Sequence, residues 1–193
     1  MSSAWQALFL VVVALTAADA DSSLSIVPRA DWHARPPSGA MTAMSLPLGR
    51  AVIAHTAGRS CTDDQSCAEQ VASIQTYQMI RLKYSDISYH YLVGGNGRVY
   101  EARSPSQQGA IAAGNNANSL AIAFIGNFDL ESPTDAALAA AQSLLEHAVS
   151  QGELAQNYDL LGHRQLSATK SPGDALYTII KSWPHWRNVG DVA

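Results

Sequence analysis

The residues of this 193-residue chain with the widest chemical range are six histidines and two cysteines, Cys61 and Cys67. His55 closes the apolar run Ala51-Val52-Ile53-Ala54, and His163 follows the run Tyr158 to Leu161 across a single glycine. Histidines at the ends of buried strands stand where clefts open, and there they can shuttle protons or ligate metal. A lone one is more often a ring held by backbone groups. His147 lies beside Glu146 on an amphipathic segment and reads as solvated; His33 and His185 suggest no chemistry. The pair Asp63-Asp64 reads as surface rather than as acid–base machinery. No Gly-x-Ser-x-Gly and no phosphate-binding glycine loop is present. Gly94-Gly95-Asn96-Gly97 separates two strand-like runs, not a strand from a helix.

The elements that must position these residues are a mixture. Arg50 to His55 and Ser119 to Gly126 read as buried strands. Cys67, Val71, Ile74 and Leu82 recur at helical spacing, which predicts a helix over Ser66 to Lys83. Ser88 to Val93 and Arg98 to Ala102 alternate around Asn96-Gly97, a hairpin pattern. Ser104 to Asn118, rich in Ser, Gly, Asn and Ala, reads as an exposed loop. Ser132-Pro133-Thr134-Asp135 offers an N-cap, a first-turn proline and an acid for a helix running through Leu138, Ala141, Leu145 and Val149 to Gly152. Tyr158 to Leu161 reads as a short strand, and a last helix spans about Gly173 to Trp183, where Pro184 ends it. The class is α/β or α+β, one sheet covered by helices.

Composition narrows the setting. Apolar residues are 47% of the chain, enough for one sizeable core. The apolar run Ala7 to Ala17 and the small residues of Ala18-Asp19-Ala20 predict a signal peptide over 1–20 and a single mature domain over 21–193, secreted and extracellular. The formal charge of −4, with no basic stretch, argues against nucleic acid as a partner, and no later segment is long enough for a membrane span. In a secreted chain, Cys61 and Cys67 read as a disulfide.

The ordered set His55-Thr56-Ala57-Gly58, Cys61/Cys67, Ser88-Tyr89-His90-Tyr91-Leu92-Val93-Gly94, Val99-Tyr100-Glu101, Phe124-Ile125-Gly126-Asn127, Gly162-His163-Arg164, Ser171-Pro172-Gly173 and Trp183-Pro184 resembles the peptidoglycan recognition proteins. The resemblance extends from Ile26 to Trp186. Arg103-Ser104-Pro105-Ser106 and Ala168-Thr169-Lys170-Ser171 are similar to the short secreted insect type. It implies the fold of N-acetylmuramoyl-L-alanine amidases of the phage lysozyme type: a central mixed β-sheet flanked by three main helices. Catalytic members cut the bond between muramic acid and L-alanine with zinc held by two histidines and a cysteine, leaving one position for water. The positions that match those ligands are Ala54, His163 and Ser171, so one ligand of three survives. Tyr89 and Thr169 match the catalytic helpers.

The resemblance therefore implies a non-catalytic protein without metal or cofactor that binds bacterial peptidoglycan or muropeptides and promotes innate immune signalling. Other peptidoglycan recognition proteins are further candidate partners. The ligand-binding positions it implies are His55, Thr56, Gln78, Lys83, Tyr84, Tyr89, His90, Arg103, His163, Thr169 and Ser171. Gln78 and Ile111 stand where histidines are common in the family, and Lys83-Tyr84 replaces a Gly-Trp or Asn-Phe pair. Arg103 matches an arginine that grips the extra carboxylate of diaminopimelic acid. A residual amidase and an adaptor for another recognition protein are the rival readings.

Overall fold

The apolar run that ends at His55 forms β2 (Leu48–His55), the second strand in from one edge of a six-stranded sheet, in a computed structural model that describes residues 24–192. The expected signal peptide lies outside the described residues. The other elements are β1 (Ile26–Val27), α1 (Asp64–Ile80), β3 (Tyr91–Val93), β4 (Val99–Glu101), β5 (Ser119–Phe124), α2 (Asp135–Ser150), β6 (Leu154–Gly162), a 3₁₀ turn at His163–Gln165, and α3 (Asp174–Ile180). The strand order is β1-β4-β3-β5-β2-β6, with only the β3–β4 pair antiparallel. Strands buried on both faces read as continuous apolar runs, which is why β2 and β5 were legible. Among the described residues no helix is long and apolar enough to cross a membrane.

The period of two in each strand sorts side chains into two cores. Ala51, Ile53, Leu120, Ile122 and Phe124 join α2 and α3 on one face, whereas Ala54, Leu92, Ala123 and Ile125 join the Cys61–Cys67 region and Val71 of α1 on the other. Adjacent residues Ala54 and His55 thus lie on opposite faces. Cys61 and Cys67 form a disulfide that ties the loop after β2 to the first turn of α1. The β3–β4 turn closes against it. A Cβ on Gly95 would lie 2.3 Å from the Cys61 carbonyl oxygen, so no larger residue fits there.

Several boundaries differ from the sequence reading. α1 begins at Asp64 because Asp63 is its cap, accepting from the Ser66 amide at 2.9 Å. The Ser66 hydroxyl, donating to Asp63 Oδ2 at 2.6 Å, and then the Ser66 amide hold the Asp63 carboxyl below its usual range. α1 stops at Ile80, and Leu82 is exposed rather than on its buried face. Gln75 and Gln78 take the inward positions instead, which an apolar period cannot reveal. The cap of α2 is Thr134, whose hydroxyl accepts from Ala137 at 3.1 Å and donates to the Gly95 carbonyl at 2.8 Å; Pro133 precedes the cap. β6 is longer than expected, since its polar stretch Gln156-Asn157 is exposed at the sheet edge and bulges out of the ladder with β2. α3 ends at Ile180, short of Trp183, because the chain tightens into i→i−3 turns there, with the Ser182 amide donating to Ile179 O and the Trp183 amide to Ile180 O, each at 3.1 Å. The loop over 104–118 is partly buried: Gly109 and Ala112 are inside it.

Candidate functional site

The C-terminal ends of β2 and β6 meet at Ala54, His55, His163 and Ser171. Ala54 is fully buried among apolar groups. The His55 amide donates to Ser171 Oγ at 3.0 Å, joining β2 to the segment before α3. The His55 ring turns the other way, and its Nδ1 accepts the Phe128 amide at 3.2 Å. Nε2 therefore carries the proton of the neutral ring. Burial holds the His55 pKa below its usual value, opposed by Asp129 and aided by His163 and Arg164. Only 6% of the residue is exposed, so little of it is left to line a groove. Thr56 holds the next turn, its Oγ1 accepting the Gly126 amide at 3.0 Å.

His163 opens the 3₁₀ turn that ends β6. Its Nε2 donates to the Ile111 carbonyl at 2.7 Å, which leaves Nδ1 as the bare lone pair. That Nδ1 is buried with no hydrogen-bond partner. Burial lowers the pKa, against the pull of the Ile111 carbonyl. The turn is held from behind by Gln165, which accepts the Gly162 amide and donates to the Arg187 carbonyl. Thr169 is exposed, and its Oγ1 accepts the Ser171 amide at 3.2 Å. Among the described residues no group of three or more His, Cys, Asp or Glu side chains is placed to hold a metal ion.

A second region lies at the end of α1. Lys83, Tyr84, Arg103 and Gly109 line an open cleft of ≈ 290 Å³, with Met41 and Thr42 opposite. Lys83 sits just past the helix in the left-handed region, φ 61°, where glycine is usual. Arg103 rises from the end of β4 yet is only 5% exposed. Its Nε donates to Ile87 O at 2.9 Å and Nη2 to Asp86 O at 3.0 Å, while Nη1 donates to Gln108 O. Three of its five N–H donors are thus spent on backbone carbonyls. Burial lowers the guanidinium pKa, and Asp86 opposes that shift. Tyr89 is half-buried beside this region, and burial pushes its phenol up to about 12.

Two expected ligand contacts are core groups instead. His90 is fully buried; its Nδ1 accepts the Ala121 amide at 2.8 Å and its Nε2 donates to Gln107 O at 2.8 Å. With both nitrogens satisfied, a second proton would face the Ala121 N–H, and burial drives the pKa down to about 4. Gln78 spends its amide on Ser88, accepting from its backbone N–H at 2.8 Å and donating to its hydroxyl at 2.9 Å. Asp86, which the sequence reading missed, anchors the whole region. Its buried carboxylate pairs with Arg29 at 3.0 Å and accepts from Gln75 and the Ile87 amide, each at 2.7 Å. Nothing in local periodicity marks it, because its side-chain partners, Arg29 and Gln75, lie 57 and 11 positions away in sequence.

Residues 45–174 match the family described as N-acetylmuramoyl-L-alanine amidase. The chain is 57% identical over 177 residues to peptidoglycan-recognition protein SD of Drosophila melanogaster, covering 92% of this chain and 95% of that protein. The crystal structure of Drosophila SD superposes with a TM-score of 0.85, at 58% identity over 86% of this chain and 98% of that one. Similar too are peptidoglycan recognition protein LE in complex with tracheal cytotoxin, a monomeric diaminopimelic acid-type peptidoglycan, and the LCa–LCx ectodomain complex with the same ligand. LE matches with a TM-score of 0.84 and 36% identity, over 86% of this chain and 97% of that one. The LCa–LCx match has a TM-score of 0.83 and 44% identity, over 85% and 99%.

Proposed function

The chain belongs to the peptidoglycan-recognition protein family, and from that premise we propose that it is a secreted receptor that binds diaminopimelate-type peptidoglycan without cutting it. The observation that carries this reading is the state of the three positions where the family's amidases hold zinc. Ala54 has no donor atom. Ser171 Oγ is a hard, neutral oxygen already accepting the His55 amide. Only the unpartnered Nδ1 of His163 is a competent ligand. One nitrogen does not make a three-ligand site, so these residues do not fit a catalytic zinc ion.

Recognition remains available to the rest of the site. The two N–H donors that Arg103 has left, beside Lys83, give the ≈ 290 Å³ cleft a cationic floor suited to a carboxylate. Because the backbone carbonyls hold the guanidinium in place, little side-chain entropy is lost when a ligand docks. The diaminopimelic acid-type ligand bound to the LE relative supports this choice. Tracheal cytotoxin bound to the complex of the LCa and LCx ectodomains supports a second recognition protein as a partner.

The test is retention on insoluble peptidoglycan, with diaminopimelate-type and lysine-type polymers side by side and the supernatant assayed for stem peptide. Retention should favour the diaminopimelate polymer, with no peptide released. Released stem peptide would make the protein an amidase, and failure to be retained on either polymer would leave the adaptor reading.

A further inference from the structure

A cleft of ≈ 500 Å³ opens between α2, β6 and the C-terminal segment, and it shares no lining residue with the Arg103 cleft or with the Ala54, His163 and Ser171 positions. Its apolar wall is Leu145, Tyr158 and Trp183, each at least nine-tenths buried. His185 stacks on Tyr158 with ring centroids 4.2 Å apart. Its backbone is in the left-handed region at φ 65°, held there by the bond from the Leu160 amide to His185 O at 2.8 Å. A strained residue kept in place by a strand is the kind of feature found at binding sites. The exposed rim carries Glu146 and the amides of Gln142 and Gln156. Glu146 lies close enough to Tyr158 to raise the phenol's pKa, after burial itself. Among the described residues Glu146 has no salt-bridge partner, and no Lys or Arg lines the cleft.

We propose that this cleft binds an organic ammonium ion with an apolar body. The volume lies in the range of small-molecule sites. Electron-rich rings attract an alkylated ammonium head, and an unpaired carboxylate on the rim complements its charge. An attached phosphate would face that carboxylate with no cation to receive it.

The experiment follows the Trp183 indole N–H signal by NMR during titration with benzyltrimethylammonium, benzyl alcohol or phosphocholine. The expected result is a saturable shift with benzyltrimethylammonium and weaker binding of the other two. Glu146→Gln, an exposed helix position, should weaken the benzyltrimethylammonium complex about tenfold, leaving benzyl alcohol and retention on peptidoglycan unchanged. Absence of a saturable shift, equal affinity for the neutral or the phosphate-bearing probe, or an unaltered affinity in Glu146→Gln would each overturn the proposal.

Discussion

Removing the Arg103 side chain should damage the fold and the ligand contact by separable amounts. The guanidinium donates to the carbonyls of Asp86, Ile87 and Gln108, joining the segment after α1 to the loop over 104–118. Arg103→Ala leaves those three acceptors without their partner. Each buried unsatisfied group costs about 1–3 kcal/mol; with water entering through the cleft, the low end applies, and the sum is about 3 kcal/mol. For a domain of this size that lowers Tm by roughly 6–12 °C, while the protein stays folded at room temperature. Scanning calorimetry measures this term alone. Binding is then measured well below the variant's Tm, where loss of a charge-assisted contact should weaken diaminopimelate-type fragments by about ten- to a hundredfold. Lysine-type fragments, which lack the second carboxylate, should bind as before. A stability loss under about 1 kcal/mol would mean that the guanidinium is not holding those carbonyls. Equal weakening of both fragments in the folded variant would refute its role in reading diaminopimelate.

Replacing Cys61 and Cys67 together by alanine should cost about 2 kcal/mol, since the closed loop is short, and the native protein should titrate no free thiol when denatured; two thiols would contradict the disulfide. The double substitution Ala54→His, Ser171→Cys should bind zinc far better than either single change, because only it completes three ligands with His163; elemental analysis after dialysis decides, and a full equivalent of zinc in the unaltered protein would undo the reading. His90 has a folded-state pKa of about 4, below its unfolded value, so the unfolded chain binds the extra proton first. Stability should be full above about pH 6.5 and fall by about 3 kcal/mol as pH drops towards 4, a slope that denaturation of His90→Gln should lack; an unchanged slope would assign it to other groups. Lys83→Gly should raise stability by up to about 1 kcal/mol in urea denaturation by relieving the left-handed backbone, and a loss would mean that lysine's own contacts outweigh the strain.

Much of this protein was legible from local pattern. β2, β5 and the β3–β4 hairpin showed in apolar runs, alternation and the Asn96-Gly97 turn, because strand and turn chemistry act over a few residues. The disulfide partners were readable from spacing. What each polar side chain does was decided by the tertiary structure. His90 and Gln78 look like ligand groups in sequence, yet Ala121, Gln107 and Ser88 consume their donors and acceptors inside the fold. Asp86 looks unremarked in sequence, yet it holds Arg29 from the turn after β1 and Gln75 from α1. Apolar burial repeats with a helix or strand period and so leaves a trace in the chain. A buried hydrogen bond joins residues tens of positions apart, and whether a polar group is spent or free is settled only when the strands and loops carrying its partners come together.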